Sequence, residues 1–207
     1  IPLVALGTGL LWFGWYGFNA GSQLKVDGVT AQAFVNTDVS ASFAAIVWLL
    51  LSWVLQRKPT FVGLLTGAVA GLATITPAAG FVTVGSSALI GAVAGIVCYL
   101  AVELKNRLGW DDALDVWAVH GVGGTIGTIM LGFFADKAIG GVAGLLAGGG
   151  PSLLMKQTLA VVGVSIYAFL FTWGSLWLIS KFTPVRVSET EEDDLDRSLH
   201  GEAAYDF

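Results

Sequence analysis

The chain has 207 residues, of which 55% are hydrophobic and only 12% are Asp, Glu, Lys or Arg, against roughly 25% charged residues in soluble domains. That balance excludes an ordinary water-soluble globule. The net charge of −5 is not evenly spread: residues 1–182 carry eight basic and seven acidic residues, whereas residues 183–207 carry two basic and eight acidic ones.

Six apolar stretches of roughly twenty residues predict an all-α, polytopic membrane helix bundle, each stretch being about long enough for a hydrocarbon core of roughly 30 Å. The predicted spans lie near 2–20, 32–56, 61–76, 85–104, 113–135 and 156–181. They make residues 1–182 a transmembrane domain and residues 183–207 an acidic tail. The first span follows Ile1 at once, without the basic flank and cleavage site of a signal peptide, as expected of a chain processed or truncated at its start.

In the first span Trp15 and Phe18 are three residues apart and share a helix face. Such pairs usually face lipid or core. The functional alternative is that the rings close a narrow path and hold a cation on their faces, at roughly 0.5 to 2 kcal/mol per contact. Asn19 and Ser22 follow at the far end, where the Ser22 hydroxyl is either solvated or an acceptor for an N–H donor. Asp38, near the start of the second span, reads as a cap or an interface residue. The third span is short and ends at Pro77 and Gly80, the kind of interrupted helix that transporters place along their pathways. Gly63, Gly67 and Gly71 form a small-residue ridge, Gly91 and Gly95 a second, and Gly123 and Gly127 a third, which lets membrane helices approach closely.

The single cysteine, Cys98, lies inside the fourth span, so no intrachain disulfide or thiolate cluster can form. Asp111, Asp112 and Asp115 open the fifth span, where carboxylates satisfy unpaired N–H groups and the helix dipole. His120 lies deep in that span. An ionisable group inside a span is a functional hypothesis by default, its alternative being a neutral imidazole that bonds a neighbouring helix. Burial would favour the neutral form, with one donor and one acceptor.

The loops alternate between Lys25, Lys137 and Lys156 on one side and Arg57, Lys58, Lys105, Arg107, Lys181, Arg186 and Arg197 on the other. The second side is therefore expected to be cytoplasmic, together with both termini. Trp53, Trp110 and Trp177 fall near span ends, where indole rings favour the interface. Past Pro184 the tail has too little apolar surface to fold alone and reads as solvated or partner-bound. There is no Walker loop, paired-carboxylate site or Ser/His/Asp set, so an enzyme is poorly supported, and nothing implies a cofactor, a metal or nucleic acid.

Five separated motifs carry a resemblance. They are Leu11-Trp12-Phe13-Gly14-Trp15-Tyr16-Gly17-Phe18-Asn19-Ala20-Gly21-Ser22, Ala33-Phe34-Val35-Asn36-Thr37, Thr76-Pro77-Ala78-Ala79-Gly80-Phe81, Asp115-Val116-Trp117-Ala118-Val119-His120-Gly121-Val122-Gly123-Gly124, and His200-Gly201-Glu202-Ala203-Ala204-Tyr205. In order and spacing they resemble the C-terminal half of the ammonium transporter (Amt/MEP/Rh) family, nearest its bacterial and archaeal Amt branch. The resemblance implies an eleven-helix protomer of two inverted five-helix repeats plus a final helix, in a homotrimer with one pore per protomer, in the cell membrane. This chain would supply the second repeat, the final helix and a cytoplasmic C-terminus, with the N-terminal half as its partner.

By the same resemblance Phe18 looks like a gating phenylalanine, Ser22 like the serine of the external ammonium site, Trp15 like the pore-lining tryptophan and His120 like the second of the twin pore histidines. His200, Gly201 and Glu202 look like the regulatory tail that receives a PII signalling protein. The family's Gly-Leu-Asp reads Asp194-Leu195-Asp196 here, without the glycine that makes a left-handed turn easy. The implied function is transport of ammonium or ammonia. The alternatives are an ammonium sensor that signals through the tail, and a redox subunit with His120 as a haem or pigment ligand. The latter calls for a second histidine inside the spans, which the tail residue His200 cannot provide.

Overall fold

The computed structural model describes residues 1–192 and 194–203, apart from the side chains of residues 189 and 190. The acidic residues Asp193 and Asp206 and the end of the tail motif lie outside the described residues. The chain forms two compact units, Ile1–Val161 and Val162–Phe207, taken here in turn.

The first unit opens with α1 (Pro2–Gly21), where Pro2 occupies the first turn and costs no hydrogen bond. α2 (Gly28–Gln56) starts on Asp27, whose carboxylate accepts the Val29 and Thr30 N–H groups in a reciprocal capping box. The Gln23 amide, then Lys25 and the Thr30 N–H, hold the Asp27 carboxyl well below the ordinary carboxylate range. α2 thus begins four residues before the predicted span, and Asp38 is not a cap. It lies within the helix and accepts the Tyr16 hydroxyl at 2.5 Å.

α3 (Phe61–Ile75) is followed by a tight turn around Pro77, and α4 (Val84–Leu108) starts on the Thr83 cap and stops at left-handed Gly109. A single π-helical turn (Trp117–Val122) then runs into α5 (Gly123–Phe134). The short α6 (Lys137–Gly140) and a 3₁₀ turn (Leu145–Ala147) lead to α7 (Ser152–Ile179).

α2 is the centre of the packing. A Cβ on Gly71 would lie 2.7 Å from the Ala41 Cα and the Ala44 Cβ, and one on Gly67 would lie 2.6 Å from the Trp48 Cβ. From α4, Gly91 abuts the Ser40 backbone, and a Cβ on Gly95 would lie 2.8 Å from the Ala44 carbonyl. The predicted ridges of α3 and α4 therefore both press on α2. The third ridge, on Gly123 and Gly127 of α5, bears on Thr74 of α3. Dispersion between close backbones is the main attraction available where lipid is as apolar as the side chains.

The turn after α3 would leave carbonyls unpaired inside the bundle. Asn36 supplies the donors: its Nδ2 donates to the Ala79 carbonyl at 2.8 Å and to the Val82 carbonyl at 2.7 Å. Ile75, Ala78, Ala79, Val82 and Ile90 close over this point in one apolar cluster with Met130 and Leu131.

In the second unit, the remainder of α7 has Tyr167 and Phe171 stacked at 5.7 Å and the Lys181 ammonium 4.9 Å from the Trp177 ring. α7 has no buried residue. The tail makes α8 (Glu189–Glu192) and a π-helical turn (Asp196–His200) that ends on left-handed Gly201.

Among the described residues four helical runs are both long and apolar enough to cross a membrane: α2, α4, Trp117–Phe134 and α7. The other two of the six expected spans, α3 and α1, fall outside that criterion for two physical reasons. α3 has only 15 residues, and α1, with 20, carries Trp12, Trp15, Tyr16, Asn19 and five glycines that dilute its hydropathy.

Candidate functional site

α1 places three of the four expected pore residues in sequence along one helix. At 1.5 Å per residue, Phe18 lies about 4.5 Å and Ser22 about 10 Å beyond Trp15 along the axis. Trp15 and Phe18 meet edge to face with ring centroids 6.1 Å apart. The Trp15 ring is fixed because its Nε1–H donates to the Thr76 Oγ1 at 2.7 Å, tying α1 to the end of α3. The Ser22 hydroxyl donates to the Phe18 carbonyl at 2.6 Å, which leaves its oxygen lone pairs open to an N–H donor.

His120 joins this row from another element. Its ring lies nearly parallel to that of Trp15, with centroids 6.3 Å apart and 14° between planes. The π-helical turn that carries it is the kind of irregularity that recurs at functional sites. The expectation of a buried His120 is corrected here: the residue is exposed. Its neighbours Ala118 and Val119 are buried against the bundle, whereas His120 and Gly121 point to the open side of the same turn.

Two openings flank the Trp15–His120 pair. A cleft of about 470 Å³ is lined by Leu10, Leu11, Gly14, Trp15 and Phe18. A second cavity of about 470 Å³ includes Thr8, Leu11, Val69, Asp115, Val119 and His120 in its lining. Leu11 lines both.

The fifth-span acids, of which Asp115 lines the second cavity, divide their roles. Asp112 caps as expected, its carboxylate accepting the Val116 and Trp117 N–H groups at 3.0 and 2.9 Å. Asp115 does not cap. It has φ of 55° and pairs with Lys105 at 2.6 Å. The helical run consequently starts at Trp117 rather than near residue 113.

Trp15, Phe18, Ser22 and His120 thus share one side of the first unit, while His200, Gly201 and Glu202 belong to the second. There, Gly201 has φ of 69°, and its N–H and that of Glu202 both turn back to the Asp196 carbonyl. The Ser188 hydroxyl and N–H donate to the Glu191 carboxylate, which lies below its ordinary pKa for that reason. Sequence reasoning missed Thr76, Asp115 as a cavity wall and Lys105. Thr76 was legible only as part of a motif, and Lys105 was counted only among the basic residues of one side.

The row of rings can hold a cation on its faces, Ser22 can accept an N–H, and the imidazole can both donate and accept. Among the described residues no group of three His, Cys, Asp or Glu side chains is placed to hold a metal.

The profile of the Ammonium Transporter Family matches residues 1–205. An ammonium transporter of Aquifex aeolicus is 48% identical over 208 residues, covering all of this chain and 49% of that protein. Among solved structures, Saccharomyces cerevisiae Mep2 matches 90% of this chain and 43% of its own, with TM-score 0.80 and 34% identity. A protein described as "Sensor Amt Protein" matches 93% of this chain and 47% of its own, with TM-score 0.83 and 34% identity. The chain therefore spans about half the length of the curated relatives it matches. Those relatives are named as transporters, not enzymes. With a family profile matched over nearly its entire length and the family's folded half reproduced, this chain belongs to the ammonium transporter family.

Proposed function

We propose that the chain forms the C-terminal half of a membrane pore that moves ammonium or ammonia, and that Ser22, Phe18, Trp15 and His120 line its path in that order. The supporting observation is the alignment of Trp15, Phe18 and Ser22 along α1, with the exposed His120 imidazole stacked against Trp15 from another element. A bare ammonium ion loses many kcal/mol of hydration on entering such a path, tens in the idealised limit. Ser22 and the aromatic faces hold the cation at the outer end, and the ion gives up its proton before the apolar stretch. Ammonia crosses, while hydrogen-bonded imidazoles that include His120 position it or relay the proton.

The N-terminal half covers the open side and brings the first pore histidine. The whole is a homotrimer in the cell membrane, with the N-terminus of this chain and the acidic tail in the cytoplasm. The spans occupy residues 1–182. His200, Gly201 and Glu202 couple the tail to transport and to a PII protein. His120→Ala in the full-length protein is expected to abolish ammonium current in proteoliposomes or change its ion dependence. Unchanged transport and selectivity would sink the assignment. Deletion of residues 185–207 is expected to change transport or PII binding, and if it changed neither, the tail would have no regulatory part.

Likeness to the "Sensor Amt Protein" supports a second reading, in which the same fold signals ammonium through the tail and conducts little. Growth on limiting ammonium of a cell that lacks its own uptake separates the two, because a sensor would not restore it.

A further inference from the structure

Among the described residues Lys105 is the one charged side chain that is buried. It stands near the end of α4 and makes two short contacts, to the Asp115 carboxylate at 2.6 Å and to the Asp112 carbonyl at 2.7 Å. Neither partner is a neighbour in sequence. A buried ammonium without partners is costly, and the attraction of a buried pair offsets its desolvation only when the geometry is good. The arrangement therefore calls for a role other than surface charge.

The role is visible in the backbone. Asp115 adopts φ of 55°, a left-handed conformation that residues with a Cβ seldom take. Such conformations persist where the surroundings over-determine them. Here Lys105 holds the side chain of Asp115 and the carbonyl of Asp112 from one side. The Asp112 carboxylate holds the N–H groups of Val116 and Trp117 from the other. The carbonyl of Asp115 then accepts the Val119 N–H at 2.9 Å, setting the pitch of the turn that bears His120. Lys105 is thus tied to His120 through one backbone turn, and Asp115 and His120 line the same cavity.

We propose that Lys105 is a positioning residue for His120: its buried ammonium pins Asp115 in the left-handed conformation from which the π-helical turn unrolls and presents the imidazole to the cavity. The proposal rests on reading His120 as a pore residue, and it names the group that fixes where that residue stands.

The test uses full-length protein in proteoliposomes with three variants. Lys105→Arg keeps the charge. Lys105→Met removes it. Lys105→Met/Asp115→Gly removes both charges and supplies a glycine that takes the left-handed conformation without strain. Two readouts are needed: ammonium current, and the ¹⁵N spectrum of labelled histidine, with His120 assigned by the signal lost in His120→Gln. Lys105→Met is expected to shift the His120 resonances and lower maximal current about ten- to a hundredfold, the range for a displaced functional group. Half-saturating ammonium is expected to move less than about twofold, because the outer site at Ser22 is untouched. The double variant is expected to return both readouts toward the parent, and Lys105→Arg to retain most of the current.

Folded Lys105→Met with parental current and parental His120 signals would overturn the proposal. So would a folded double variant whose His120 signals stay displaced, since charge rather than backbone geometry would then be what matters. If Lys105→Met does not fold, the double variant decides alone by the same two readouts. If the parent protein carries no ammonium current, the transport reading fails, while the histidine spectra still test the positioning.

Discussion

Asn36 offers the sharpest test of how the bundle is held. Its side chain is fully buried and is the hydrogen-bond donor for the Ala79 and Val82 carbonyls in the turn that ends α3. Asn36→Leu keeps the branching at Cγ, is somewhat larger, and removes both donors, the added bulk acting in the same destabilising direction. The Val82 carbonyl retains the Gln32 amide at 3.2 Å, whereas among the described residues no second hydrogen bond reaches the Ala79 carbonyl. Leaving that buried acceptor unpaired costs about 1 to 3 kcal/mol, and the weakened bond at Val82 adds about 1 kcal/mol. Interhelical hydrogen bonds in membranes fall toward the low end of such ranges, so a loss of about 2 kcal/mol is expected. That is roughly a thirtyfold shift toward the unfolded state. The assay is reversible unfolding of the full-length protein in mixed micelles as denaturing detergent is added, followed by tryptophan fluorescence. A change under about 0.5 kcal/mol would refute the reasoning, because surface-like substitutions stay inside that limit.

Three other outcomes follow from the structure. Gly127→Ala drives a methyl group onto the Thr74 backbone and is expected to lower stability by about 1 to 3 kcal/mol in the same unfolding assay. Thr76→Val removes the acceptor of the Trp15 indole; it is expected to cost about 1 kcal/mol and to reduce ammonium current while the protein stays folded, as read by proteoliposome current beside the unfolding curve. In the tail, Glu191 is held below its ordinary pKa by Ser188. A depressed acid stabilises its turn above the unfolded pKa and loses that contribution as pH falls through the lower, folded value. The Ser188 amide signal should therefore move at a lower pH than that of an unpaired glutamate, and Glu191→Gln should remove that transition.

Much of the bundle was legible because its signals are local. The glycine ridges of α3 and α4 are periodic in sequence and meet α2 where their spacing requires. The break after α3 is announced by Pro77, and Trp15 and Phe18 share a face because three residues separate them. What was missed depends on distant partners or weak local codes. Asp27 opens α2 with Thr30 rather than Glu at the reciprocal position, so the familiar capping pattern is incomplete and the helix start was placed late. Asp115 was read as a cap because capping is what an acid before a helix usually does; only Lys105, ten residues back on another helix, shows otherwise. His120 was expected to be buried because its sequence neighbours are apolar, yet which side of a turn faces the bundle is decided by packing. The motifs around Asn36 and Pro77 were recognised separately, and the structure supplies the bond that joins them.

The seating of α3 and α4 on the same stretch of α2 also constrains motion. Ser40 is pressed by Gly71 from α3 and by Gly91 from α4, and its hydroxyl donates to the Gly71 carbonyl. Sliding either helix by one residue would bring a side chain to a contact where only hydrogen fits. Close-packed interiors transmit such displacements rather than absorb them. α2, α3 and α4 therefore behave as a single rigid block, and on the proposed pore reading any gating stroke falls to the parts outside it: the ring of Phe18, the turn that carries His120, and the connections between helices.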